Sequence, residues 1–171
     1  AYFNLGLIRS QQKRWEEAVR YYQEAVRLNP NYAEAHNQLG AAYVEQRQLA
    51  EAATAYRQAI QIRPDFSEAY NNLGVVLHEQ GFSQEALAVY QEALRLNPRS
   101  IDTYHNLGIA LRDIGRPKEA IECFESALRV DPAAGEIYLD IGLTLRDEKA
   151  PFDAMEWFKK IFENLSAIFF I

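Results

Sequence analysis

The sequence has few of the residues on which several kinds of site depend. Its single cysteine, Cys123, excludes an intramolecular disulfide framework and a cysteine-based zinc site, and it favours a reducing compartment. We therefore expect a cytoplasmic protein. No uninterrupted apolar run approaches the roughly 18 residues of a membrane-spanning helix, and the apolar cluster at 167–171 is far too short. We expect no membrane span.

Positive charge is also scarce. The chain has 18 Lys and Arg against 24 Asp and Glu, which gives a formal net charge of -6, and it has no basic run. A nucleic-acid partner needs a stripe of basic side chains to displace the counterions of its phosphates, so we expect no DNA or RNA partner. The chain starts at Ala1 with neither an initiator methionine nor a secretory leader, and we expect it to be a piece of a longer protein.

No group of residues in the sequence indicates an enzyme. It contains no nucleophile paired with a base, no metal-ligating cluster and no phosphate-binding loop. His78 and His105 have only Glu79 nearby as a third ligand, which makes a poor metal site. We expect no catalytic activity, no metal and no cofactor in this chain.

The residues that are present repeat with a period of 34 positions. An aliphatic residue and a glycine recur together at that interval, and an alanine, an aromatic ring and a proline follow at fixed distances. The glycines are Gly6, Gly40, Gly74, Gly108 and Gly142, the rings are Tyr22, Tyr56, Tyr90, Phe124 and Phe158, and the prolines are Pro30, Pro64, Pro98 and Pro132. Several marks that share one period indicate an array of like structural repeats.

The third repeat carries the full pattern. It reproduces the signature of the tetratricopeptide repeat family at Tyr70, Leu73, Gly74, Leu77, Ala86, Tyr90, Ala93 and Pro98. This resemblance covers residues 1 to about 163. It implies an all-α fold, a right-handed α-solenoid of five helix-turn-helix repeats plus an extended C-terminal helix. The predicted repeats of this single array over 1–171 are 1–32, 33–66, 67–100, 101–134 and 135–168.

Apolar spacing predicts the same hairpins without the resemblance. Apolar residues fall three and four positions apart on both sides of Gly81, as they do in two amphipathic helices. Gly81 and Gly115 can end a first helix in the left-handed conformation. Lys13, Arg47 and Lys149 hold the same place in the other repeats, where we expect either a strain of about 1 kcal/mol or a different turn.

The recurring glycines predict a close approach of the two helices in each hairpin. Glycine costs about 0.8 to 1 kcal/mol relative to alanine inside a helix, so its recurrence needs a reason in packing. We expect Ala86 to face Gly74 across the hairpin, with the ring of Tyr90 packed beside them, and the equivalent residues to do the same in the other repeats.

Carboxamides recur on the first helices, which line the concave face in the family that the chain resembles. The position just before the Leu-Gly pair holds Asn4, Gln38, Asn72, Asn106 and Asp140, and the position before it holds Phe3, Asn37, Asn71, His105 and Leu139. A carboxamide has a donor and an acceptor, so it can pair with a peptide unit of any sequence. The alternative is that these groups face water or bond the neighbouring helix.

The carboxamide series resembles the asparagine ladder in the repeat domains of protein O-linked N-acetylglucosamine transferases, where such residues hold extended peptide. The resemblance implies a peptide-binding face. The residues that we predict to line this face are Asn37, Gln38, Asn71, Asn72, His105, Asn106 and Asp140, together with His78, Arg112 and Arg146 near the helix ends.

Acidic residues mark both ends of the predicted first helices. Glu34, Glu68, Asp102 and Glu136 open them, and Glu45, Glu79, Asp113 and Asp147 lie near their ends. The helix macrodipole accounts for the opening acids, but it disfavours the later ones. A clamp for anionic C-termini would need Lys and Arg at groove positions, and only Arg112 and Arg146 oppose the acids there. We expect a neutral to basic ligand.

The last repeat departs from the pattern. An apolar stripe follows at helical spacing and comprises Trp157, Ile161, Phe162, Leu165 and Ile168. Such a stripe is either covered by a further helix, if the chain continues, or it is a docking surface for a partner or for a second copy in a homo-oligomer.

These observations predict a scaffold for protein–protein interaction that binds an extended or helical segment of another protein on its concave face. Two alternatives stay open. The array is the substrate-recognition arm of a glycosyltransferase or other enzyme whose catalytic domain lies outside this chain, or it is a scaffold that self-assembles through the C-terminal apolar stripe.

Overall fold

The computed structural model describes residues 1–147 together with Met155, Trp157 and Lys159. This part of the chain contains nine helices and no strand. The helices are α1 Tyr2–Gln11, α2 Trp15–Leu28, α3 Ala33–Glu45, α4 Leu49–Ile62, α5 Ser67–Glu79, α6 Ser83–Leu96, α7 Ile101–Asp113, α8 Pro117–Val130 and α9 Gly135–Asp147. The predicted all-α fold is confirmed.

Consecutive helices pack as hairpins, and the hairpins form two compact parts. The pairs α1–α2, α3–α4, α5–α6 and α7–α8 make the most extensive contacts, and they fall inside the predicted repeats 1–32, 33–66, 67–100 and 101–134. The chain divides into unit 1, Ala1–Leu96, and unit 2, Asn97–Ile171. Each second helix also packs on the next first helix within its unit, as α2 does on α3, α4 on α5 and α8 on α9. One hairpin therefore helps to bury the apolar face of the next.

The turns inside the four described hairpins, α1–α2 to α7–α8, use the left-handed conformation. Gly81 and Gly115 have φ values of 83° and 76°, and Lys13 and Arg47 reach 57° and 61° at the equivalent position. Of the two expectations for the lysine and the arginine, the strained left-handed turn is the one that occurs. Lys149, the equivalent residue of the last repeat, lies outside the described residues.

The recurring glycines of α1, α3, α5 and α7 lie directly against aromatic rings. A Cβ atom built on Gly74 would come within 2.5 Å of Cε1 of Tyr90, and the three nearest atoms all belong to that ring. At Gly6, Gly40 and Gly108 the three nearest atoms likewise belong to one ring, that of Tyr22, Tyr56 or Phe124, and all are closer than 3.0 Å. We expected Ala86 to face the glycine, with the ring at the side. The ring itself faces the glycine, because it is the side chain large enough to span the gap between the helices.

The second helices end two residues before the recurring prolines: α2 ends at Leu28, α4 at Ile62, α6 at Leu96 and α8 at Val130. The carbonyls of two of these prolines are hydrogen-bonded by the next first helix. Nε2 of His36 lies 3.0 Å from the Pro30 carbonyl oxygen, and Oη of Tyr138 donates to Pro132 at 2.9 Å. These polar rings occupy the same repeat position, and their hydrogen bonds connect the starts of α3 and α9 to the preceding turns.

Most of the C-terminal apolar stripe lies outside the described residues, namely Ile161, Phe162, Leu165 and Ile168. Its described member, Trp157, is partly exposed, and its ring centroid lies 5.8 Å from that of Tyr138 on α9. No helix in the described part of the chain has the length and apolarity to span a membrane.

Candidate functional site

We call the predicted carboxamide positions of the first helices the ladder residues. They are Gln38 on α3, Asn72 on α5, Asn106 on α7 and Asp140 on α9, and the side chain of each is partly exposed. In unit 1, consecutive first helices also contact each other directly, α1 with α3 and α3 with α5. The ladder residues of that unit therefore lie on a closely packed first-helix layer.

In unit 1, one ladder residue is joined to the neighbouring repeat through a buried amide. Asn72 Nδ2 donates to Asn37 Oδ1 at 3.2 Å, and Asn37 Nδ2 donates to Glu68 Oε1 at 2.9 Å. Only 1% of Asn37 is exposed. We predicted that Asn37 would line the peptide-binding face, but its side chain lies beneath that face. Its two hydrogen bonds satisfy the buried amide, which would otherwise be costly.

In unit 2, the ladder residue Asp140 is held by two side chains of α7. His105 Nε2 lies 2.7 Å from one of its carboxylate oxygens, and Arg112 Nη1 donates to the other at 2.9 Å. The three side chains are between 17% and 27% exposed, so water screens these interactions only in part. The predicted residues His105, Arg112 and Asp140 therefore form a single cluster.

The contacts of this cluster shift two pKa values in opposite directions. The hydrogen bond to Asp140 raises the pKa of His105 against the effect of burial, and the negative charges of Asp140 and Glu136 add to the rise. Burial raises the pKa of Asp140, but the hydrogen bonds and positive charges of His105 and Arg112 outweigh it and lower the value. The pair is therefore stabilised with the histidine protonated and the aspartate ionised.

Several acids at the ends of the first helices already have basic partners. In unit 1, Glu34 pairs with Arg63, and Glu79 pairs with Arg47 at 3.3 Å. In unit 2, the predicted Arg146 pairs with its neighbour Asp147 at 2.9 Å. The exposed acids Glu45, in unit 1, and Asp102, in unit 2, make no ion pair in the described chain. The negative charges of Glu45 and Asp102 are therefore not offset by an ion pair within the described residues.

The other predicted residues keep their places on the first helices. Asn71 and His78 lie partly exposed on α5. The described residues contain no group of three metal-ligating side chains. Cys123 is partly buried on α8, and burial raises the pKa of its thiol to about 11, so the thiolate is scarce near neutral pH.

Sequence reasoning missed two residues that shape the ladder face. Glu68 was assigned to the helix macrodipole alone, yet it accepts the hydrogen bond of Asn37. Arg63 follows α4 and pairs with Glu34, and its Cζ atom lies 4.4 Å from the centroid of the Phe66 ring. Neither contact leaves a local sequence signal, because the partners lie 31 and 29 residues apart and meet only when repeats stack.

Sequence profiles of one repeat family match most of the chain. Sequence profiles described as tetratricopeptide repeat match residues 65–133 and 105–164, and a profile described as TPR repeat matches 6–47 and 42–81. The chain belongs to the tetratricopeptide repeat family. The predicted family resemblance is thus confirmed, whereas the further resemblance to the transferase asparagine ladder stays a prediction.

Several solved structures share the fold of this tetratricopeptide repeat chain. MamA from Desulfovibrio magneticus is 25% identical, with 97% of this chain and 94% of that chain covered and a TM-score of 0.88. PilF from Pseudomonas aeruginosa is 26% identical, with 95% and 74% covered and a TM-score of 0.84. YrrB is 24% identical, with 95% and 84% covered and a TM-score of 0.77. No curated protein matches the chain.

Family membership and these folds support a protein-interaction scaffold as the general function of the chain. The matched proteins are tetratricopeptide repeat proteins, which as a class are scaffolds. The alternatives of an enzyme's recognition arm and of self-assembly through the C-terminal apolar stripe stay predictions.

Proposed function

We propose that the chain binds an extended segment of another protein along the ladder residues of its first helices. The observation that carries this proposal is made within each unit, where neighbouring repeats hold partly exposed ladder residues at one repeat position: Gln38 and Asn72 in unit 1, and Asn106 and Asp140 in unit 2. Polar groups at one position of neighbouring repeats suit a ligand that offers peptide groups at intervals along its length.

The chemistry of Asn72 supports this role. Its amide nitrogen has two hydrogens and uses one of them on Asn37. The second hydrogen and the carbonyl oxygen make no other hydrogen bond in the described chain, so both are available to one peptide unit of a ligand. Because peptide groups are the same in every sequence, contacts of this kind give affinity with little dependence on the ligand's side chains.

The fold is compatible with a peptide site. YrrB, which shares it, is a TPR protein with an unusual peptide-binding site. In this chain the acids Glu45 and Asp102 lie on first helices without ion pairs in the described part, and the net charge is -6. We infer a preference for neutral to basic segments, because like charges repel across an interface.

The experiment is a binding measurement with peptides selected from a random displayed library on the immobilised chain. The variant Asn72→Ala with Asn106→Ala removes one ladder carboxamide from each unit. Each lost hydrogen bond is worth about 0.5 to 1.5 kcal/mol, so we expect affinity for the best selected peptide to fall about 10-fold to 100-fold. Isothermal titration calorimetry would measure the change.

The control removes two carboxamides that are exposed on second helices, with Gln61→Ala on α4 and Gln91→Ala on α6. It should leave the affinity unchanged. Circular dichroism should show the same helicity for both double variants, and only the ladder variant should melt slightly lower, because it removes the hydrogen bond to the buried Asn37 oxygen. Undiminished peptide affinity in the ladder variant, or an equal loss in the control, would contradict the proposal.

A further inference from the structure

The hydrogen bonds around Asn72 run in one direction, and a charge sets that direction. An ionised Glu68 can only accept, so the side chain of Asn37 must present its nitrogen to Glu68. That leaves the Asn37 oxygen toward α5, where it accepts from Asn72 Nδ2. The opposite orientation of either amide would bring two oxygens or two N–H groups together.

Because Asn37 is buried, the direction of these hydrogen bonds cannot easily be reversed. With 1% of the residue exposed, water cannot replace a lost hydrogen bond, and a mispaired buried amide costs the desolvation of its polar atoms. Asn72 is partly exposed, and without Asn37 its carboxamide could rotate freely and exchange the places of its oxygen and nitrogen.

We propose that Asn37 and Glu68 are positioning residues, which together fix the carboxamide of Asn72 with its carbonyl oxygen presented to a ligand's N–H group. The inference rests on the proposed function. It adds the specificity of the site: at Asn72 the ligand must contribute a hydrogen-bond donor to the oxygen, as the backbone N–H of an extended segment does. A proline nitrogen at that point of the segment would be rejected.

An equivalent contact occurs in unit 2 at the same repeat positions. His105 and Asp140 follow Asn37 and Asn72 by two periods of the sequence, and their side chains are also bonded, at 2.7 Å. The juxtaposition of these two positions in neighbouring repeats is therefore a property of the stacking within each unit. The chemistry at the contact is set by the residues that occupy it.

A ligand-free measurement tests the orientation. In ¹H–¹⁵N spectra, the side-chain NH₂ signals of Asn37 should move in Glu68→Gln, because the new amide can donate a hydrogen bond as well as accept one. The NH₂ signals of Asn72 should lose their distinct positions and slow exchange in Asn37→Ala. If the Asn72 signals are unaffected in Asn37→Ala, the positioning role is overturned.

A double-mutant cycle with the best selected library peptide tests the effect on binding. Asn37→Ala should weaken binding about two-fold to ten-fold, as expected for one misoriented hydrogen bond, and should have no further effect when Asn72→Ala is already present. A merely structural role for Asn37 predicts an equal loss in both backgrounds, and that result would overturn the inference. Gln38→Ala, which removes the other unit 1 ladder amide, should by contrast add to the effect of Asn72→Ala.

The two measurements separate the two ideas. If the spectra change as expected but no library peptide binds, the proposed function fails and the orientation of Asn72 stands. If a peptide binds through Asn72 and its affinity is unchanged by Asn37→Ala and by Glu68→Gln, the proposed function stands and the positioning inference fails. A series of peptides, each with proline in place of one residue, should show one peptide position at which proline lowers the affinity for the native chain. At that position the loss should be smaller for Asn72→Ala.

Discussion

At the scale of single residues, the contact between glycine and an aromatic ring determines how closely the helices of a hairpin approach. Tyr90 is 1% exposed, and its ring occupies the place where a side chain at Gly74 would begin. A glycine is unfavourable for an isolated helix, but here it permits burial of a complete ring, which contributes more to stability than the helix propensity costs.

We expect Gly74→Ala to destabilise the fold. The new Cβ would lie 2.5 Å from the Tyr90 ring, and overpacking of this kind typically costs about 1 to 3 kcal/mol, more than the gain of about 1 kcal/mol in helix propensity. The midpoint of urea denaturation should fall. Gly135→Ala is the control, because Gly135 has open space around its α-carbon at the start of α9. A midpoint that is unchanged or raised in Gly74→Ala would contradict the packing account.

At the scale of helices, the contact between α7 and α9 in unit 2 contains a titratable histidine, His105. Its counterpart in unit 1 joins the neutral amides of Asn37 and Asn72, and Asn37 also bonds Glu68. His105 gains a partner on folding, and its pKa is raised from 6.5. A group of this kind stabilises the folded state fully below its unfolded pKa, and its contribution disappears as the pH rises through the folded pKa.

We therefore expect the stability of unit 2 to fall as the pH rises from about 6.5 through the raised pKa of His105. Asp140 acts oppositely: its pKa is lowered from 3.8, so its contribution is lost on acidification below about pH 4. Hydrogen exchange in α7 and α9, measured from pH 5 to 8 with correction for intrinsic rates, would report the change.

Two variants make the pH test specific. In His105→Asn the decline in α7 and α9 stability above about pH 6.5 should disappear, since an amide does not titrate. In Asp140→Asn the pKa of His105, followed by its ring signals in NMR spectra, should fall. A His105 pKa that is the same in Asp140→Asn and in the native chain would show that the pair does not cause the rise.

At the scale of the whole chain, an excess of negative charge accompanies the ladder residues in both units. Only some of the acids on the first helices are neutralised by arginine, as Glu34 is by Arg63 and Asp140 is by Arg112. The remaining acids, together with a net charge of -6, create a field that attracts cationic segments at long range and repels anionic ones.

We expect a library peptide that contains lysine to bind more weakly when one lysine is changed to glutamate. Exposed charge pairs are worth about 0.2 to 1 kcal/mol, so one reversal should cost about two-fold to five-fold in affinity. The difference should shrink as ionic strength is raised, because salt screens exposed charges. The same peptide with glutamine in that place should show an intermediate affinity. Equal affinities at low salt would contradict the inferred charge preference.

The sequence by itself determined the repeats. The period, the turn residues and the apolar spacing are local properties of the chain, so they predicted the hairpins, the left-handed turns at Gly81 and Gly115 and the first-helix location of the ladder residues. Helical periodicity tells which residues share one side of a helix. It does not tell which residue of the next repeat they meet.

Only the tertiary structure decided the partners. Asn37 is buried against Glu68 and Asn72, and His105 meets Asp140, across 31 to 35 residues of sequence. These pairings depend on the offset and rotation between neighbouring hairpins, which arise from the sum of many packing contacts rather than from any single residue. For that reason the sequence could suggest a peptide-binding role for Asn37, while stacking placed it underneath the ladder residue that it holds.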